Sequence, residues 1–144
     1  MTKRTGLASS TKLHKIIYWT ATGLLAFGML AQGLAQLFHT KGYADIMVHL
    51  GYPLYFLSII GVWKILGVIA IVIPRFKLLK EWAYAGFFFV MSGAAFSHIA
   101  SGDSLSEIAP SLVLLTLIVV SWYCRPANRK ITWVTQESFQ LVNT

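Results

Sequence analysis

Four runs of about twenty apolar residues leave this chain few folds to choose from, because that length of helix is what the hydrocarbon core of a bilayer requires. They fall at 16–38, 53–73, 82–100 and 105–124. A soluble domain of 144 residues could not cover so much apolar surface when 56% of its side chains are hydrophobic and only 12% are charged. The expected fold class is an all-α membrane protein, a four transmembrane helix bundle. The first run is longer than a secretory signal core and lacks a polar cleavage region, so it is read as a retained helix although Gly33 and Ala35 offer small residues for cleavage. Ser104 and Glu107 fix the start of the fourth, since their S-x-x-E spacing has the form of a capping box and puts Pro110 in the second turn of a helix beginning near residue 105.

The formal charge of +7 is not massed in one patch, which argues against nucleic acid as a partner. Lys3, Arg4, Lys12 and Lys15 precede the first run, Arg75, Lys77 and Lys80 separate the second from the third, and Arg125, Arg129 and Lys130 follow the fourth. The other two connections hold Lys41 beside Asp45, Asp103 and Glu107. By the positive-inside rule both termini are expected in the cytoplasm, and a count of three or five helices would break the pattern. Trp19, Trp82, Trp122 and Tyr123 fall near the expected cytoplasmic ends, where amphipathic rings anchor. Residues 1–15 then form a basic cytoplasmic segment and 127–144 a cytoplasmic tail, whose Trp133, Val134, Phe139 and Leu141 are expected to lie along the inner surface.

Lys64 stands in the middle of the second run with no charge near it in sequence. At about 1.5 Å per residue it lies roughly 16 Å below the outer end of its helix, and helical side chains lean toward the N-terminus, so the ammonium is aimed outward. Small and polar residues mark inward faces in lipid. Ser58, Gly61, Lys64 and Gly67 make one stripe, Gly28, Gln32, Gln36 and His39 a second, and Gly86, Gly93 and Ser97 with adjacent His98 a third. Their convergence predicts an outward-opening polar pocket formed by Gln32, Gln36, Lys64, Ser97 and His98, with Phe87, Phe88 and Phe89 as apolar surface. Glu107 is the first candidate to reach Lys64 as a charge partner and Asp103 the second. The plainer alternative is that Lys64 only ties helices together through Gln and Ser oxygens.

The remaining polar residues carry weaker signals. His39, His49 and His98 all belong to the outer side, yet their spacing fits no haem or metal motif, and no metal site is expected. Glu81 suits the positive end of the third helix. Cys124 is the single cysteine, which excludes an internal disulfide and paired-thiol chemistry. No residue pattern assigns a catalytic step.

Five segments carry a resemblance: HLGYP at 49–53, WKILG at 63–67, IPRFKLLKEWAYAGF at 73–87, SGAAFSHIASGD at 92–103 and RP at 125–126. Together they resemble the DoxX-like family of small four-helix bacterial membrane proteins over residues 16–126. The resemblance implies a four-helix domain in the bacterial inner membrane, with Lys64, Glu81, His98 and Asp103 at motif positions. Relatives in the wider group are associated with quinone-linked sulfur oxidation and with membrane oxidoreductase assemblies. The expected function is an accessory or small-molecule-binding subunit whose pocket takes a quinone or lipid. The rivals are a component of a quinone-coupled oxidoreductase, working beside a partner subunit, and a small transporter, which would need to form a homo-oligomer.

Overall fold

The computed structural model describes residues 3–131, with side chains from Lys12 onward. Five helices carry almost all of it: α1 (Lys3–Leu37), α2 (Lys41–His49), α3 (Tyr55–Val72), α4 (Lys77–Ala100) and α5 (Leu105–Tyr123), followed by a single 3-10 turn at Ala127–Arg129. Four of them, all but α2, are long and apolar enough to cross a membrane. The fold class is therefore the expected one, an all-helical membrane protein.

Sequence and structure differ at the helix ends. At 35 residues α1 is about 50 Å long, well beyond a hydrocarbon core of about 30 Å, because nothing in residues 3–15 breaks a helix. Helix α4 begins five residues before the expected position, at Lys77, since Pro74 ends the preceding segment and no breaker follows it. Helix α2 was not expected at all; its nine residues are too few to span a bilayer. The start of α5 agrees with the capping argument: the Ser104 side chain takes the N3 backbone and the Glu107 carboxylate accepts from the Ser104 amide at 2.9 Å. Tail residues Trp133, Val134, Phe139 and Leu141 lie outside the described residues.

The four long helices form a ring in which each packs against its two neighbours: α1 against α3 and α5, and α4 against the same pair. The core inside that ring is built from Leu25, Met29, Val68, Ile71, Tyr84, Phe87, Met91, Leu114 and Ile118. Close approach of α1 and α3 depends on glycine. A Cβ on Gly61 would stand 2.7 Å from the Gly33 carbonyl oxygen and 3.0 Å from the Leu37 amide nitrogen, so the two backbones touch where side chains would hold them apart. Gly67 makes room in another way, accepting the ring of Phe87 from α4.

The third expected stripe needs correction. Gly86 and Gly93 are exposed, and the buried face of α4 is Lys80, Tyr84, Phe87, Met91, Ala95 and His98. Of these, Phe87 is received by Gly67 on α3. Of the three phenylalanines, Phe87 is core, whereas Phe88 and Phe89 are 40% and 70% exposed.

The basic end of the bundle is closed by charge. Lys80 is 1% exposed and donates to the carbonyl oxygens of Ala70 and Ile71, at 2.9 and 2.8 Å, and to that of Ile73. These are carbonyls that the last turn of a helix leaves without partners. Arg125 donates to Glu81 at 2.7 Å, Trp122 donates to the other oxygen of that carboxylate at 2.8 Å, and the Arg125 guanidinium lies over the rings of Tyr84 and Trp122. Glu81 thus holds α4 to the end of α5. Its expected role at a helix start fails because α4 begins four residues earlier. Arg129 returns to donate to Tyr18 of α1 at 3.1 Å.

Candidate functional site

At the opposite end, three helices stop in the same way. α1, α2 and α4 end in Schellman turns, in which one residue with positive φ reverses the chain and two backbone bonds satisfy the last carbonyls. The reversing residues are His39 (φ 48), Gly51 (φ 77) and Gly102 (φ 75). For α4, the Asp103 amide donates to the His98 carbonyl at 3.0 Å and the Gly102 amide to that of Ile99 at 3.1 Å. This turn folds Asp103 back over the helix from which His98 projects.

The result is a two-imidazole clamp on one carboxylate. His98 Nδ1 lies 2.6 Å from Asp103 Oδ2, and His49 Nε2, from the end of α2, lies 2.6 Å from Asp103 Oδ1. Hydrogen bonds from His98 and then His49 hold the Asp103 carboxyl below the usual carboxylate range, so it is ionised and accepts from both rings. Side-chain exposure falls from 55% at His49 to 7% at Asp103 and 11% at His98, so the clamp runs from the surface into the protein. Two further bonds fasten the same end: His39 Nε2 to Ser58 Oγ at 2.7 Å and Tyr52 to Ser97 Oγ at 2.9 Å. Because Ser97 donates its own proton to the Gly93 carbonyl, Tyr52 is the donor to it.

Beneath α2 these elements line an open-sided cavity of about 760 Å³. Gln32 and Gln36 of α1, Lys64 of α3, and Ser97 and His98 of α4 all line it, and so do Asp103 and Glu107. The structure therefore brings together every residue assigned to the pocket from sequence. Phe89 lines the cavity as well, Phe87 lines a different groove, and Phe88 lines neither. Residues from α2, which the sequence did not reveal, supply part of the wall, among them Tyr43, Asp45 and His49. Burial raises the Tyr43 phenol above its ordinary pKa.

Lys64 is 3% exposed, and its ammonium donates to Gln32 Oε1 at 2.8 Å. The expected charge pairing does not form among the described residues. Glu107 is occupied at Ser104, accepting from both its amide and its hydroxyl, and Asp103 is occupied by its two histidines. An amide oxygen is thus the protein partner of a buried cation, an arrangement that leaves two of three ammonium protons for another acceptor. Gln36, 5% exposed, has the reverse need: its Oε1 is buried and accepts no hydrogen bond.

A second hollow meets the first at Lys64. It is an apolar groove of about 400 Å³ between α3 and α4, lined by Trp63, Gly67, Trp82 and Phe87, and Lys64 borders it too. Among the described residues, no group of three or more His, Cys, Asp or Glu is arranged to hold a metal ion.

No curated protein and no solved structure matches the chain. The sequence profile of the DoxX-like family does match, over residues 20–121, a span that contains every residue of the cavity wall named above. With four membrane-length helices and a profile match covering well over half its length, the chain belongs to the DoxX-like family.

Proposed function

We propose that this protein binds a small amphipathic molecule, a quinone or a lipid, with its polar head in the cavity beneath α2 and its apolar part in the groove between α3 and α4. The observation that carries the reading is the position of Lys64, which borders both hollows and whose ammonium has, among the described residues, a single acceptor, Gln32. The cavity falls in the usual range for small-molecule sites, about 300–1,000 Å³, and combines a mostly apolar wall with a few convergent polar groups. An ionisable residue at mid-depth in a membrane helix is costly to place there, and a head group that completes its hydrogen bonds offsets that cost.

The distribution of basic residues supports an orientation with both termini in the cytoplasm of a bacterium and the cavity facing out across the inner membrane. Lys12, Lys15, Arg75, Lys77, Arg125, Arg129 and Lys130 lie toward one end of the bundle, whereas Asp45, Asp103 and Glu107 lie toward the other. In this reading the chain is a binding or accessory subunit.

Native mass spectrometry of the protein released from gentle detergent tests the proposal. A small apolar molecule retained by the wild type and lost from Lys64→Met is the expected result. A wild type that carries nothing, and that takes up neither quinone nor lipid when these are supplied, would overturn it.

A further inference from the structure

The cavity wall has an unmet balance of hydrogen-bond donors and acceptors that specifies its occupant's head. Lys64 Nζ is a donor with one protein acceptor, at 2.8 Å. Gln36 Oε1 is a buried acceptor with no donor. His98 is buried, and its Nδ1 is committed to the ionised Asp103 carboxylate at 2.6 Å. A carboxylate only accepts, so Nδ1 carries the proton, and in the neutral ring Nε2 is left as an acceptor. Nε2 has no protein partner among the described residues. Lys64 Nζ as a donor and Gln36 Oε1 and His98 Nε2 as acceptors therefore face the same cavity, beside the amide NH2 groups of Gln32 and Gln36 and the Tyr43 hydroxyl.

A head that offers only carbonyl oxygens would satisfy Lys64, leave the buried Gln36 Oε1 unpaired and cover His98 Nε2 without replacing the water that can reach it, which is the costly outcome for polar atoms removed from water. A head with two hydroxyl groups satisfies all three, because a hydroxyl donates one proton while still accepting. We infer that the cavity selects a dihydroxy head on an apolar body, with one hydroxyl donating to His98 Nε2 and accepting from Lys64 and the other donating to Gln36 Oε1. This deepens the binding reading above and depends on it. Two classes of molecule share the chemistry, an aromatic hydroquinone and a lipid with a free diol.

A benzoquinone with a short alkyl tail and its own hydroquinone form a clean pair of probes, since they share a skeleton and differ in two hydrogens. Their affinities for the full-length protein in detergent would be measured by anaerobic equilibrium dialysis. The hydroquinone is expected to bind more tightly by on the order of tenfold, the effect of two hydrogen bonds made against two left unmade. Gln36→Leu and His98→Phe should each lower hydroquinone affinity more than quinone affinity and so narrow that ratio. Helical circular dichroism and thermal unfolding would confirm that each variant is folded, and Gln36→Met provides a second, milder change at the first position. A monoacylglycerol, which carries two hydroxyls, distinguishes the sources: competition with the hydroquinone assigns the site to a diol lipid, and failure to compete assigns it to the aromatic head. Equal affinity for the two probes, or tighter binding of the quinone, would overturn the inference and leave the binding reading intact. Failure of all three probes to bind would remove both.

Discussion

His98 and Asp103 stand five residues apart on the two sides of a helix terminus, and their side chains meet at 2.6 Å. The Schellman turn at Gly102 makes this meeting a local event, while the second oxygen of Asp103 makes it a tertiary one by taking His49 from α2. One carboxylate thereby joins α2 to the α4–α5 turn at the mouth of the cavity.

That arrangement gives stability a defined pH dependence. Asp103 has a carboxyl pKa lowered from its usual value, about 3.9, by hydrogen bonds from His98 and His49. A group depressed on folding stabilises the native state above its unfolded pKa, and the contribution is lost as pH falls through the folded value. The difference in melting temperature between wild type and Asp103→Asn should therefore be present above the unfolded carboxyl value and shrink as pH falls through the lowered folded one. A difference that grew below pH 4 would contradict the assignment.

Replacing Lys64 should separate binding from folding. Lys64→Met removes a buried charge at nearly constant volume, a change that is often neutral or stabilising, so the melting temperature should stay within the equivalent of about 1 kcal/mol. Affinity for an amphipathic ligand should drop by about tenfold or more, the usual worth of a hydrogen bond to a charged group. Loss of the folded protein instead would make Lys64 a structural tie between α1 and α3 through Gln32.

Lys80 is expected to behave in the opposite way. Lys80→Met takes the donor from three carbonyl oxygens at the end of α3, those of Ala70, Ile71 and Ile73, inside a part of the protein that water does not readily reach. Destabilisation of at least about 2 kcal/mol should follow. Thermal unfolding in one detergent, with the exposed Lys41→Met as control, measures it.

The α1–α3 crossing makes the most specific steric prediction. Gly61→Ala places a methyl group against backbone on both sides, at 2.7 Å from Gly33 O and 3.0 Å from Leu37 N, and neither neighbour can turn aside. A loss of about 1–3 kcal/mol is expected, as for other forced insertions into packed interiors. Gly86→Ala, with nothing within 4 Å of the added atom, should be silent in the same assay.

Membrane orientation can be read chemically. In a Cys124→Ser background, Ser106→Cys should react with an impermeant thiol reagent applied to intact cells and Ala127→Cys should react only after lysis, both positions being exposed. The reverse pattern would invert the topology and turn the cavity toward the cytoplasm.

Much of this was legible in the sequence, and the misses have physical causes. Apolar length marked the spans, and the S-x-x-E spacing placed the start of α5 correctly. Polar residues within or near the ends of the spans pointed to Gln32, Gln36, Lys64, Ser97 and His98, all of which line the cavity, because a hydrocarbon solvent leaves such residues few other places. Lys80 was hidden among neighbouring basic residues, since a count of charges in a connection does not say which of them turns inward to cap carbonyls. Helix α2 was hidden by its brevity. The pairing of His98 with Asp103 had a usable signal: glycine four positions after a histidine near a helix end, followed by an acid, spells a Schellman turn that folds the acid back. For Lys64, the acids named as charge partners are engaged elsewhere, and the alternative contact, a glutamine oxygen on the facing helix, is the one that forms.

The three Schellman turns at the cavity end have a further consequence. Where a helix is stopped by main-chain bonds and one residue of positive φ, its side chains are released from the duty of ending it. The basic end works differently, since Lys80 must be a cation there for α3 to finish properly. The two poles of the molecule thus end their helices by different means, backbone geometry at one and a side-chain cation at the other, so the first tolerates changes in the last-turn side chains that make no tertiary bond while the second does not tolerate loss of Lys80.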